Sequence, residues 1–140
     1  MKTKFVYNQH EIEVVAKKLV NLMDVCQVFT LSGPLGAGKT SLIQAILAQR
    51  GVTVPVSSPT FTYLNVYENN ANQLFYHFDL YRLTSLDEFL QAGFDEYLYA
   101  PNSWTFIEWP EVIMPLLQKK VCFCELAYYE AKRIITIINS

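Results

Sequence analysis

Long hydrophobic runs are absent from this sequence of 140 residues. No stretch approaches the ~18 uninterrupted apolar residues that a membrane-spanning helix requires. The N-terminal segment contains lysines, but it has neither the apolar core nor the small-residue cleavage site of a secretory signal peptide. We therefore expect a soluble, cytoplasmic protein that makes no contact with a membrane.

Cysteine is also scarce. The three cysteines, Cys26, Cys122 and Cys124, cannot all pair in disulfides because their number is odd. Cys122 and Cys124 lie in an apolar run that has no histidine or further cysteine nearby to complete a metal site. We expect buried free thiols at these positions rather than a metal centre.

Positive charge is limited as well. The formal net charge is −2, and the three arginines, Arg50, Arg82 and Arg133, are widely separated. Neutralising nucleic-acid phosphates requires clustered lysine and arginine side chains. This composition excludes a large nucleic-acid surface on this chain alone.

What the sequence does contain is typical of a globular domain. Apolar residues make up 51% and charged residues 17% of the chain, which is neither a disordered nor a fibrous composition. A chain of this length buries about two-thirds of its surface on folding. We expect one domain over residues 1–140, and we expect the isolated chain to be monomeric.

Helix and strand signals alternate early in the chain, and strands dominate later. Asn8 and Glu11 can cap a first helix that ends near Met23. The other predicted elements are, in order, strand 25–31, helix 41–50, strands 61–67 and 73–79, a short helix between Ser85 and Gly93, strand 103–107, helix 112–119, and strands 121–126 and 133–138. This order predicts an α/β domain in three layers, with a mixed sheet that contains an antiparallel hairpin.

The segment LSGPLGAGKT lies between the first predicted strand and the second predicted helix. It satisfies the phosphate-loop pattern Gly33-x-x-x-x-Gly38-Lys39-Thr40, in which backbone N–H groups turn inward around phosphates. Lys39 can reach the β and γ phosphates, and the Thr40 hydroxyl can bind Mg²⁺. The predicted nucleotide-binding residues of this loop are Gly33, Leu35, Gly36, Ala37, Gly38, Lys39 and Thr40. The fold predicted is therefore a three-layer P-loop NTPase-like domain.

Two carboxylates end predicted strands elsewhere in the chain. Asp79 closes the segment FYHFD and Glu108 closes the segment WTFIE. Mg²⁺ needs oxygen ligands beyond the single one that a phosphate loop supplies. We expect these two residues to bind the metal or to orient a water molecule, and the sequence leaves open which of them does which.

A threonine in a serine-rich loop is a further candidate. Thr60 follows a proline in the segment SSPTF, after the helix that the phosphate loop begins. A hydroxyl in such a loop can reach the γ-phosphate and become ordered around Mg²⁺. An ordinary Ser/Thr turn is the alternative interpretation.

Four segments together resemble one family. GPLGAGKT, SSPTFTYLNVYE, FYHFDLYRL and FIEWPE, in this order and spacing, closely resemble the TsaE (YjeE) family of bacterial P-loop ATPases. The resemblance extends from the first helix to the last strand. It implies a role in forming N6-threonylcarbamoyladenosine in tRNA, in which ATP hydrolysis supports repeated turnover by a TsaB–TsaD complex. The protein partner implied is that complex, and tRNA is contacted only through it.

The resemblance also implies roles for single residues. The family's nucleotide site falls on residues 36–40, with Mg²⁺ at Thr40 and Glu108. Outside the loop, the resemblance ties Asp79 to hydrolysis and makes Thr60 a switch-like threonine. It also implies that Trp109 lies beside the acidic residue and that Arg133 lies near the nucleotide.

Other functions of a phosphate loop remain open alternatives. A small-molecule kinase of the nucleoside type shares the loop, but such enzymes need several arginines in a mobile lid. A GTPase would need a guanine-reading segment such as N-K-x-D, and the sequence has none. A nucleotide-gated binding module without turnover is the third alternative. The leading hypothesis is slow, partner-gated hydrolysis of ATP with Mg²⁺.

Overall fold

A seven-stranded mixed sheet forms the middle of the protein in the computed structural model, which describes residues 1–59 and 61–139. The strands, in chain order, are β1 (Lys2–Tyr7), β2 (Val28–Ser32), β3 (Leu64–Glu68), β4 (Leu74–Asp79), β5 (Ser103–Glu108), β6 (Val121–Tyr129) and β7 (Lys132–Asn139). Across the sheet their order is β1-β7-β6-β2-β5-β4-β3. The four central strands, β6, β2, β5 and β4, are parallel, and the pairings outside them are antiparallel. The carboxyl ends of the parallel strands meet at one edge, which is where open α/β sheets bind ligands.

Helices cover both faces of this sheet. They are α1 (Ile12–Leu22), α2 (Lys39–Gln49) and α3 (Leu86–Gln91), with short 3-10 turns at Gln9–Glu11, Phe94–Tyr97 and Glu111–Leu116. α1 and α2 pack on one face, in a buried cluster that includes Phe29 and Phe106. α3 and the last two 3-10 turns pack on the other face, around Val28 and Ile107. Successive residues of a strand point to opposite faces, so the two clusters confirm the three-layer α/β architecture.

The helix starts near Asn8 and Ser85 and the hairpin are confirmed, although Asn8 Oδ1 has no hydrogen-bond partner among residues 1–59 and 61–139 and so does not cap the helix. The backbone N–H of Asn8 donates to Glu11 Oε1 at 3.0 Å at the entry to the first helical segment, and α1 ends at Leu22. Ser85 Oγ accepts a hydrogen bond from the backbone N–H of Glu88 at 3.2 Å, and α3 follows at once. β3 and β4 form the expected antiparallel hairpin.

Several elements differ from the sequence predictions: α2 begins two residues earlier, β6 extends three residues further, and three larger differences have structural reasons or change the type of element. β2 begins at Val28 instead of residue 25, because the N–H groups of Val25 and Cys26 still donate to the carbonyl of Leu22 in the turn that ends α1. β3 begins at Leu64 rather than residue 61. The predicted helix 112–119 is wrong: a 3-10 turn covers Glu111–Leu116, since Pro115 has no N–H to donate within an α-helix.

The first strand was not predicted from the sequence. β1 pairs antiparallel with β7 at an edge of the sheet, and most of its side chains are exposed. Its short segment, KTKFVY, lacks a clear apolar stripe because only its last residue, Tyr7, is fully buried. Pairing with a strand more than a hundred residues later in the chain produces this element.

The cysteines are free and buried, as predicted. Burial and the neighbouring Cys122 thiol raise the pKa of Cys26 to about 11, so the thiol form dominates at neutral pH. Within residues 1–59 and 61–139, no three histidine, cysteine, aspartate or glutamate side chains are placed to hold a metal ion by themselves. None of the helices in these ranges is long and apolar enough to cross a membrane.

Candidate functional site

The glycine-rich loop connects β2 to α2 at the carboxyl edge of the parallel strands. α2 begins at Lys39, directly after Gly38, whose φ of 97° lies in the left-handed region. The loop rests against β6: a Cβ added to Gly33 would lie 2.3 Å from the backbone carbonyl oxygen of Leu126. The strand, loop and helix that the sequence predicts are therefore consecutive, and the N-terminus of an eleven-residue helix faces the cleft.

Lys39 folds back across this loop. Its side chain is buried, and Nζ donates to the carbonyl oxygens of Gly33 at 2.7 Å and Pro34 at 3.0 Å. The ammonium also lies 4.1 Å from the centroid of the Trp109 ring. Burial lowers the pKa of Lys39, and the nearby carboxylates of Glu108 and Asp79 oppose that change. The structure thus places a partly desolvated cation inside the loop.

Thr40 and Glu108 meet beside that cation, an arrangement that agrees with the Mg²⁺ site that the family resemblance implies. Thr40 Oγ1 donates to the Glu108 carboxylate, at 2.8 Å from Oε2 and 3.0 Å from Oε1. Glu108 ends β5, next to Leu31 on β2, and is only 3% exposed. A buried carboxylate needs such partners because its desolvation is otherwise costly.

A second donor to Glu108 was missed by the sequence predictions. His77 lies two residues before Asp79 on β4, and its Nε2 is 2.7 Å from Glu108 Oε2. The side chain is completely buried. The available signal was the single imidazole in the otherwise apolar strand LFYHFD, on the same strand face as Asp79.

Asp79 lies opposite Glu108 in the parallel pairing of β4 with β5. Its carboxylate accepts hydrogen bonds from Ser58 Oγ at 2.6 Å and from the backbone N–H of Tyr81 at 3.1 Å. Ser58, also missed by the sequence predictions, joins the serine-rich segment to the end of β4. Thr60 in the same segment lies outside the described residues, so its role stays a prediction.

Trp109 forms one wall of the cleft. Its backbone has a φ of 57°, a conformation that is strained for a bulky side chain. The backbone N–H of Trp109 donates to the carbonyl of Leu31 at 3.3 Å, and the centroid of its ring lies 4.9 Å from that of Tyr81. This backbone turn, directly after Glu108, directs the indole towards Lys39.

Arg133 and Tyr128 contact the loop from the β6–β7 hairpin. Arg133 Nη2 donates to the carbonyl of Gly36 at 3.4 Å, and the Tyr128 hydroxyl donates to that of Leu35 at 3.0 Å. The guanidinium of Arg133 stacks over the Tyr128 ring at 4.5 Å. Arg133 therefore contacts the loop, and its position near the nucleotide stays a prediction, whereas Tyr128 was not predicted.

An open cleft of about 460 Å³ is lined by the loop, by the start of α2 and by the ends of β4 and β5. This volume is within the usual range for small-molecule sites. Its lining includes Lys39 and Arg82 as cations and Asp79 and Glu108 as anions. Such a mixture suits a polyphosphate accompanied by a divalent cation. The hydroxyl and carboxylate oxygens near the loop are the ligand types that Mg²⁺ prefers, so the residues present fit that metal.

Comparisons with known proteins support one assignment. The family model described as Threonylcarbamoyl adenosine biosynthesis protein TsaE matches residues 6–135. The tRNA threonylcarbamoyladenosine biosynthesis protein TsaE of Borreliella burgdorferi is 36% identical over 114 residues, which cover 76% of this chain and 82% of that protein. The protein of the same name from Rickettsia felis is 36% identical over 135 residues, covering 95% and 77% of the two chains. The crystal structure of YdiB from Bacillus subtilis superposes with a TM-score of 0.74 at 28% identity, covering 98% of this chain and 84% of that one.

Proposed function

Because this chain belongs to the TsaE family, which acts in tRNA threonylcarbamoyladenosine biosynthesis, we propose that it does so by binding and slowly hydrolysing ATP with Mg²⁺. The observation that carries the proposal is the convergence of four side chains on one cleft. Lys39 and Thr40 come from the first turn of α2, Asp79 and Glu108 end two neighbouring strands, and all four line the same space. Packing alone does not require two carboxylates and a buried lysine at one sheet edge.

The loop and Lys39 are proposed to bind the phosphates. The N-terminus of α2 presents unpaired N–H groups and a positive dipole end to an anion. Lys39 Nζ now donates to two neutral carbonyls, and an anionic phosphate oxygen is a stronger acceptor for an ammonium. We expect the lysine to exchange at least one of these carbonyls for the β or γ phosphate.

Thr40 and Glu108 are proposed to bind the metal. The Thr40 hydroxyl and the Glu108 carboxylate are already in contact, so both can face one cation beside the phosphates. When bound, Mg²⁺ neutralises charge that develops on the β and γ phosphates. Asp79 is less buried than Glu108, and its position at the end of β4 suits it to hold a metal-bound or attacking water molecule.

The partner is proposed to be a TsaB–TsaD complex, with tRNA contacted only through it. The net charge of −2 agrees with this, because a chain of that charge is a poor RNA ligand on its own. We also propose a cytoplasmic location, which fits a role in tRNA modification.

Phosphate release from ATP tests this function directly. We expect slow release by the wild-type chain with Mg²⁺, faster release when the TsaB and TsaD proteins are added, and none when the metal is chelated with EDTA. Transfer of the γ-phosphate to a nucleoside would favour the kinase alternative. Tight ATP binding without turnover under every condition would favour a nucleotide-gated binding module.

The two carboxylates are expected to affect different steps. Glu108→Gln removes a buried charge beside Thr40, so we expect the Mg²⁺ concentration for half-maximal hydrolysis to rise about 10-fold or more. Asp79→Asn should leave that concentration closer to wild type and mainly lower the maximal rate. Magnesium titrations of steady-state hydrolysis separate the two effects, and the exposed Glu13→Gln variant serves as the control. Equal metal requirements in all four proteins would contradict the assignment of Glu108.

A further inference from the structure

His77 is a buried polar side chain that phosphate binding and hydrolysis do not by themselves require. It is 0% exposed, and its Nδ1 has no hydrogen-bond partner within residues 1–59 and 61–139. A buried nitrogen without a partner destabilises the folded protein. The other side chains of β4 before Asp79 are leucine, phenylalanine or tyrosine. An apolar residue would therefore fill this position without the unpaired nitrogen.

The other nitrogen of the ring has a single, short contact. Nε2 lies 2.7 Å from Glu108 Oε2, and because an ionised carboxylate only accepts hydrogen bonds, Nε2 carries the proton. His77 pairs across the sheet with Phe106, two residues before Glu108. The ring thus reaches diagonally along β5 to the carboxylate, within the range of cross-strand side-chain contacts.

Glu108 is held from two sides by this arrangement. The Thr40 hydroxyl donates to both carboxylate oxygens from the N-terminus of α2, and His77 donates to Oε2 from β4. Two donors on different elements restrict both torsion and tilt of the carboxylate. Ligands that are oriented in this way bind a metal with less loss of conformational freedom.

We propose that His77 is a positioning residue, which holds the Glu108 carboxylate in the orientation that binds the nucleotide-associated Mg²⁺. This inference rests on the proposed function, because it assigns His77 a role towards the same metal. In this role His77 contacts neither the phosphates nor the metal. Its contribution is transmitted entirely through Glu108.

Magnesium affinity is the measurement that tests the inference. Binding of a fluorescent ATP analogue is followed while Mg²⁺ is titrated, for wild type, His77→Leu, His77→Gln and the exposed control His10→Leu. We expect His77→Leu to raise the half-saturating Mg²⁺ concentration about 10- to 100-fold. His77→Gln should remain closer to wild type, because the glutamine amide can donate from nearly the place of Nε2. Binding of the analogue in EDTA should be equal in all four proteins.

A double-mutant comparison distinguishes positioning from a general structural effect. In a Glu108→Gln background, His77→Leu should cause little further loss of magnesium affinity, because the group that it positions has been changed. Additive losses would overturn the inference. So would a wild-type magnesium midpoint in His77→Leu, or an equal loss in the glutamine and leucine variants. If the wild-type protein itself shows no magnesium effect, the proposed function fails and the inference fails with it.

The protonation of the His77 ring can be measured in the wild-type protein, so this test does not depend on the folding of a variant. In ¹⁵N spectra of the imidazole, we expect the proton on Nε2, and we expect this signal to shift when nucleotide and Mg²⁺ are added together. Nucleotide in EDTA should shift it less. A proton on Nδ1, or a signal that is the same in all three states, would overturn the inference.

Discussion

Replacing Lys39 with alanine is expected to lower the rate of ATP hydrolysis about 100-fold or more, the usual effect of removing a preorganised donor to developing charge. The ammonium of Lys39 is buried within the loop and is held by two backbone carbonyls and the Trp109 ring. A charge in such a water-poor place interacts with phosphate oxygens more strongly than an exposed lysine does. Alanine removes that charge and the donor to the Gly33 carbonyl, whereas the Pro34 carbonyl still accepts a hydrogen bond from the backbone N–H of Ala37 at 3.2 Å.

Single-turnover and steady-state phosphate release measure this effect. Lys17→Ala on the exposed side of α1 is the matched control, because it removes a lysine that lies far from the loop in sequence and is exposed. Thermal unfolding of both variants shows whether the fold is retained. Hydrolysis by Lys39→Ala at the wild-type rate would mean that the loop is not the site of the reaction.

Replacing Gly33 with alanine is expected to reduce the free energy of unfolding by about 2 to 5 kcal/mol, the sum of backbone strain and overpacking. Gly33 has a φ of +143°, which side chains rarely adopt, and an added Cβ would lie 2.3 Å from the Leu126 carbonyl oxygen. That oxygen belongs to the backbone of β6, so it cannot rotate away. Either the loop or the strand must move.

Urea denaturation of Gly33→Ala and Gly38→Ala separates the two causes. Gly38 also has a positive φ, of +97°, but an added Cβ there meets no atom of residues 1–59 and 61–139 within 4 Å. Gly38→Ala therefore carries backbone strain alone, about 1 to 2 kcal/mol. If Gly33→Ala is no more destabilising than Gly38→Ala, the close packing of the loop on β6 is not important for stability.

Sequence reasoning was most successful where a function depends on neighbouring residues. The pattern from Gly33 to Thr40 predicts its own geometry, because a strand, a glycine loop and a helix follow each other directly. Asp79 and Glu108 were found because a carboxylate that ends an apolar strand is conspicuous, and both lie at the same sheet edge. Their individual roles stay predictions.

Contacts between distant segments could not be predicted from the sequence. In the sequence, His77 is a single polar residue in an apolar strand, and its contact with Glu108 depends on the pairing of β4 with β5. Ser58 is one of several serines in a loop, and its hydrogen bond to Asp79 depends on where that loop lies in the fold. Tyr128 reaches Leu35 only because the β6–β7 hairpin lies against the loop. These contacts depend on strand order, which local spacing does not encode.

Local patterns and ordered motifs were sufficient to predict the phosphate loop, the three-layer architecture, the free thiols and the resemblance to the TsaE family. The pairing of β1 with β7 and the hydrogen bond between His77 and Glu108 are visible only in the folded protein. Both have the same cause. A strand pairing or a buried hydrogen bond between distant segments forms only when the whole sheet has been assembled, because its energy depends on burial that no short segment achieves alone.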